Sequence, residues 1–95
     1  MFEVKNSGKK IKSILEELGT NYEIKVIDAE QCIYRNLQNG FDIEVSGLNN
    51  QKQAFKADIY VWDCRNGSRI VDRVQNVTSL NELKEKLEEL SVKYS

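Results

Sequence analysis

The stretch IYVWDCRNGSRIVDRV, residues 59–74, carries the only tryptophan of the 95-residue chain, one of its two cysteines, and three arginines around an Asn66-Gly67 step. Ile59 and Val61 alternate with Tyr60 and Trp62, the period of a strand buried on one face. Asn-Gly between two such runs is a strong hairpin signal, because both residues tolerate the positive φ of a type I′ turn. A two-residue turn there pairs Ile59 with Val74, Tyr60 with Arg73, Val61 with Asp72, Trp62 with Val71 and Cys64 with Arg69. Trp62, Tyr60, Arg69 and Arg73 then share the outward face. Asp72 is sent inward beside Val61, which predicts a sheet edge or a bulge.

Upstream, the same alternation extends the strand to Phe55 and Ala57 inward and Lys56 and Asp58 outward. Beyond the polar loop Gly47–Gln53, Gln38-Asn39-Gly40 reads as a three-residue hairpin loop with Gly40 at positive φ. That register sets Ile33 and Leu37 beside Phe41, Ile43 and Val45, and points Asp42, Glu44 and Ser46 outward. Arg35 falls on the inner row and must reach the rim or find a carboxylate. Tyr22, Ile24 and Val26 alternate with Glu23 and Lys25 as a further strand, interrupted at Asp28-Ala29-Glu30.

Helices flank the strands. Ile11, Ile14, Leu15 and Leu18 recur at helical spacing over Ser7–Leu18, with Asn6 or Ser7 as cap and Gly19 as stop. Ser79 and Glu82 stand in capping-box spacing, followed by the stripe Leu80, Leu83, Leu87, Leu90 and Tyr94. The stripe suits packing on the sheet or a short coiled coil, so the chain is expected as a monomer or a homodimer. Two narrow helix faces and one apolar sheet face predict an α+β two-layer sandwich. Its antiparallel sheet has four to five strands with both helices on one side, in the order α-β-β-β-β-α.

Length and composition frame the function. Ninety-five residues build one core and a single domain, 1–95. With 40% hydrophobic and 31% charged residues, the chain reads as globular. No apolar run approaches a membrane span and the start is no signal peptide, so the cytoplasm is the expected compartment. Cys32 and Cys64 are then expected as thiols. Fourteen basic and fifteen acidic residues are evenly spread, which disfavours a partner held mainly through phosphates.

Catalytic motifs fail on inspection. Cys64 to Arg69 invites comparison with the cysteine phosphatase loop, but four residues separate them where that signature has five, and a strand rather than a helix follows. Near Gly8-Lys9 a Walker A loop would need Gly where Glu3 stands and Ser or Thr where Lys10 stands. Glu23-x-Lys25 lacks an upstream strand bearing the aspartate of a metal nuclease. Zero histidines exclude histidine-based triads and metal sites. No enzyme, metal or cofactor is predicted.

What remains is Tyr60, Trp62, Arg69 and Arg73, with Tyr34 nearby, on the face away from the helices. Ordinary cross-strand pairing accounts for them if Trp62 covers Val71 and Arg73 stacks on Tyr60. Trp, Tyr and Arg also dominate protein-binding hot spots, which predicts a protein partner. Single-stranded nucleic acid stacking on the same rings is the alternative, opposed by Asp42, Glu44 and Asp58.

In small size, mild acidity, absence of Pro and His, nine Asn and helix-strands-helix order, the whole chain resembles small proteins of phages and mobile elements, anti-CRISPR proteins among them. That resemblance implies a compact α+β module that regulates or inhibits a larger host protein by occupying its working surface.

Overall fold

The structure, a computed structural model, describes residues 9–27, 30–48 and 55–95. Helix α1 spans Lys9–Leu18, strands β1 to β5 span Glu23–Ile27, Glu30–Asn36, Phe41–Ser46, Ala57–Asp63 and Arg69–Val77, and helix α2 spans Leu80–Lys93. The strands form one antiparallel sheet in chain order, β1-β2-β3-β4-β5. The expected α+β architecture is present with five strands. Its core joins Ile11 and Ile14 of α1 and Leu83, Leu87 and Leu90 of α2 to Ile33, Ile43, Val45, Ile59 and Val61 of the sheet. The α2 leucine stripe is thus spent on the sheet rather than on a coiled coil. No described helix is long and apolar enough to cross a membrane.

Local signals explain the element ends. Gly19, at φ 94°, closes α1 by donating its N–H to the Leu15 carbonyl at 3.1 Å. The expected caps Asn6 and Ser7 lie outside the described residues. The Ser79 hydroxyl accepts from the Glu82 N–H at 3.1 Å, while the Glu82 carboxylate reaches back to the Thr78 N–H at 3.1 Å. The capping box forms with its return arm one residue earlier than the standard pattern.

The β2–β3 register is the expected one, with Ile33 opposite Val45 and Arg35 opposite Ile43. Arg35 finds an aromatic rather than a carboxylate: its guanidinium lies 5.4 Å from the Tyr22 ring centroid and donates to the Tyr22 hydroxyl at 3.5 Å. Strand β4 is a clean alternation, with Ala57, Ile59, Val61 and Asp63 buried and Asp58, Tyr60 and Trp62 half-buried on the other face.

The β4–β5 hairpin departs from the simple reading. Ile59–Val74, Tyr60–Arg73 and Val61–Asp72 pair as expected, but Trp62 faces Ile70 and Asp63 faces Arg69. Register shifts occur between Val61 and Trp62 and between Ala57 and Ile59. The tip is a five-residue loop, Cys64 to Ser68, in which Gly67 has φ 83° and Asn66 keeps a negative φ, so the type I′ turn is absent. Asp63 causes this. Its carboxylate accepts from the Arg65 N–H at 3.1 Å, from Nε at 3.0 Å and from Nη2 at 2.9 Å, closing a side-chain turn that a two-residue loop has no room for. Those bonds, the side-chain one foremost, hold the Asp63 carboxyl at about 2, below its ordinary 3.8.

Inward-pointing Asp72 is satisfied from α2. The Lys93 ammonium reaches it at 3.0 Å and the Tyr94 hydroxyl at 2.9 Å. Burial opposes ionisation there, and these two donors, with the Arg73 N–H at 2.9 Å, outweigh it and lower the carboxyl overall. β5 is an edge strand and carries bulges, as the awkward Asp72 predicted.

Candidate functional site

Strand alternation puts Glu23 and Lys25 of β1, Tyr34 of β2, Asp42 and Glu44 of β3, Asp58, Tyr60 and Trp62 of β4 and Arg73 of β5 on the face opposite the helices. Within this face lies a groove of about 270 Å³ lined by Ile27, Tyr34, Asp42, Glu44 and Trp62, with Cys64 and Ser68 of the hairpin loop. The indole is therefore not under the helices. It is half-buried on the outer side, with Ile70 rather than Val71 opposite it.

The groove is held by hydrogen bonds among its own side chains. Trp62 Nε1–H donates to Glu44 Oε1 at 2.9 Å, and the buried Cys32 thiol faces Glu44 Oε2 at 3.7 Å. Glu44 is only 9% exposed, so this carboxylate serves as an internal bracket that fixes the plane of the indole. The Tyr34 hydroxyl donates to Asp42 Oδ2, and the Cys64 thiol lies 3.6 Å from the same oxygen. Asp42 Oδ1 accepts no hydrogen bond among the described residues. The Lys25 ammonium sits 4.0 Å from the Tyr34 ring centroid, a cation–π contact at the margin of the groove.

Of the five residues singled out from sequence, Tyr34 and Trp62 line the groove, and Tyr60 stands beside it opposite Glu44. Arg73 is exposed on the same face opposite Tyr60. It does not stack there: among the described residues the ring-bound cations are Lys25, Arg35, Arg65 and Lys93. Arg69 is a correction. The one-residue shift at the bulge turns it to the helix side, where its guanidinium lies 3.9 Å from the Asp63 carboxylate.

Asp42 and Glu44 hold the rings in place, a part that the sequence pattern does not show. Outward alternation on β3 revealed their face, but only the cross-strand register reveals that they hold the rings. Ile27 was signalled by the adjacent apolar pair Val26-Ile27, which breaks alternation and leaves one side chain for the outer face.

Cys64 lies in this groove, with Ser68 Oγ 4.0 Å from its sulfur. Partial desolvation and the Asp42 carboxylate push its thiol above the usual range despite the Ser68 contact. A thiol so placed stays protonated at neutral pH and is a poor nucleophile, and a strand follows its loop. Neither cysteine is in a disulfide: Cys32 is buried beside Glu44, and Cys64 is exposed beside Asp42.

No family model, curated protein or solved structure matches this chain.

Proposed function

We propose that this chain is a non-enzymatic protein-binding module that works through the sheet face opposite its helices. One observation carries the reading: Trp62 and Tyr34 line a single outer groove, and a buried carboxylate spends its hydrogen bonds on holding the indole there. The core has no use for that arrangement, since its apolar residues lie on the other side of the sheet. Rigid aromatic rings bury area on a partner at small entropic cost.

Stacking single-stranded nucleic acid on these rings is the competing reading. Among the described strand residues of the face, the five carboxylates Glu23, Glu30, Asp42, Glu44 and Asp58 outnumber the cations Lys25 and Arg73, even with the exposed Lys56 just before β4 added, and weigh against it. The whole-chain likeness to phage and mobile-element proteins, anti-CRISPR proteins among them, supports a regulator or inhibitor of a larger host protein, acting in the cytoplasm.

Tagged protein incubated with host lysate tests this, comparing wild type with the Trp62→Ala/Tyr60→Ala double variant. The expected result is loss of retained proteins by a variant that keeps its far-ultraviolet circular dichroism, and unchanged retention refutes the face. Titration with oligo(dT) and oligo(U) at low and high salt separates the alternative, since phosphate-dependent binding weakens steeply with salt.

A further inference from the structure

The groove beside Trp62 has a specific chemical bias. It offers the rings of Trp62 and Tyr34 together with two carboxylates, and none of its described lining residues is basic. Aromatic faces are electronegative, so rings and carboxylates favour the same kind of guest. The molecule already supplies one example, because Lys25 places its ammonium on the Tyr34 ring. The wider face repeats the sign: among its described residues, five acids outnumber Lys25, Lys56 and Arg73.

We infer that the groove receives an arginine side chain from the partner protein, an inference that rests on the protein-binding reading of this face. Arginine fits better than lysine for two reasons. Its planar guanidinium stacks on an aromatic ring while its edge keeps donors free, and it is more weakly hydrated than an ammonium. Among the described residues Asp42 Oδ1 is the acceptor left for such a donor, because Tyr34 and Cys64 both engage Oδ2. Glu44 contributes charge from beneath, its own oxygens being directed at Trp62 and Cys32. Entry of the guanidinium displaces Lys25 from Tyr34, exchanging a loosely held surface cation for one that also gains a charge-assisted hydrogen bond.

Trp62 is the only tryptophan, so its fluorescence reports on this groove alone. The probes are three blocked hexapeptides, Gly-X repeated three times, with X as Arg, Leu or Glu. Saturable change in Trp62 emission is expected with the Arg peptide, at a Kd at least tenfold below that of the Leu peptide. Asp42→Asn should weaken the Arg peptide at least tenfold, whereas Glu89→Gln, which removes an equal charge from the exposed side of α2, should change it by less than twofold. Should Asp42→Asn lose the folded circular dichroism spectrum, Tyr34→Leu replaces it, with the same expected weakening.

Equal or tighter binding of the Leu or Glu peptide at Trp62 overturns the arginine assignment while leaving the face as a binding surface. Equal weakening by Asp42→Asn and Glu89→Gln overturns it as diffuse attraction. Silence of Trp62 toward all three peptides overturns it as well, and the lysate experiment then decides separately whether the face binds protein at all.

Discussion

Trp62→Phe isolates the bond that holds the groove in shape. The substitution keeps an aromatic body on the outer face and removes the N–H that reaches Glu44 Oε1 at 2.9 Å. Because Glu44 is 9% exposed, water restores that bond poorly, and only the weak Cys32 thiol donor remains among the described partners. Leaving a buried carboxylate oxygen without its donor costs about 1–3 kcal/mol. In a domain of this size each kcal/mol moves Tm by about 4–8 °C, so a fall of about 4–24 °C is expected. In a Glu44→Leu background the acceptor is gone, and the same Trp62→Phe change should cost less than about 0.5 kcal/mol. Urea denaturation followed by far-ultraviolet circular dichroism measures all four proteins, since two of them lack the fluorophore. Additivity of the two substitutions within about 0.5 kcal/mol would refute the bracket.

Three further outcomes follow from the geometry. Leu83, with no exposed surface, anchors α2 in the core, so Leu83→Ala should cost about 2–5 kcal/mol in the same urea assay, whereas Val92→Ala at a 64% exposed site should stay within about 0.5 kcal/mol. Alanine at either Gly40 (φ 95°) or Gly67 (φ 83°) incurs left-handed strain of about 1–2 kcal/mol. At position 40 the new Cβ would also stand 2.4 Å from Arg65 Cγ, so Gly40→Ala should lower Tm more than Gly67→Ala, and the reverse order would discredit the packing of Arg65. Asp63 is held at about 2 when folded against 3.8 when free, and Asp72 is lowered too. Lowered carboxylates stabilise the fold above their free values and lose that contribution as pH falls through the folded ones. Melting temperature should therefore drop between about pH 4 and about pH 2, and Asp63→Asn should lose less over that window than the parent.

Much of the fold was legible because its signals are local. Ser79 with Glu82 started a helix, Gly19 ended one, and Gly40 fixed the β2–β3 loop; each depends on one or two residues acting on their immediate backbone. Register in the middle of the β4–β5 hairpin was legible as well, since the burial demand of Ile59 and Val61 leaves few alternatives. The hairpin tip was not. A two-residue turn and a five-residue loop followed by a bulge give the same pairing from Val61–Asp72 to Ile59–Val74, and only the tip differs. Asn-Gly favoured the first, whereas three hydrogen bonds from Arg65 to Asp63 enforced the second. Asp63 two residues before Arg65 was the available sign, a side-chain turn hidden inside a strand-like run.

The site was half legible for the same reason. Outward alternation identifies Tyr60 and Trp62 directly and puts Tyr34 nearby, while it sends Arg69 to the wrong face because one extra residue in β5 reverses every side chain toward the tip. That Asp42 and Glu44 organise the rings is a property of neighbours across three strands, which no single segment encodes.

The β5 ladder loses step twice within nine residues. An outside strand approaching this border meets amides at irregular intervals, with Asn76 in the left-handed region and its N–H already tied to Asp58 at 3.0 Å. Such a border resists extension by copies of itself. At high concentration the irregularity disfavours filaments that would grow along that side.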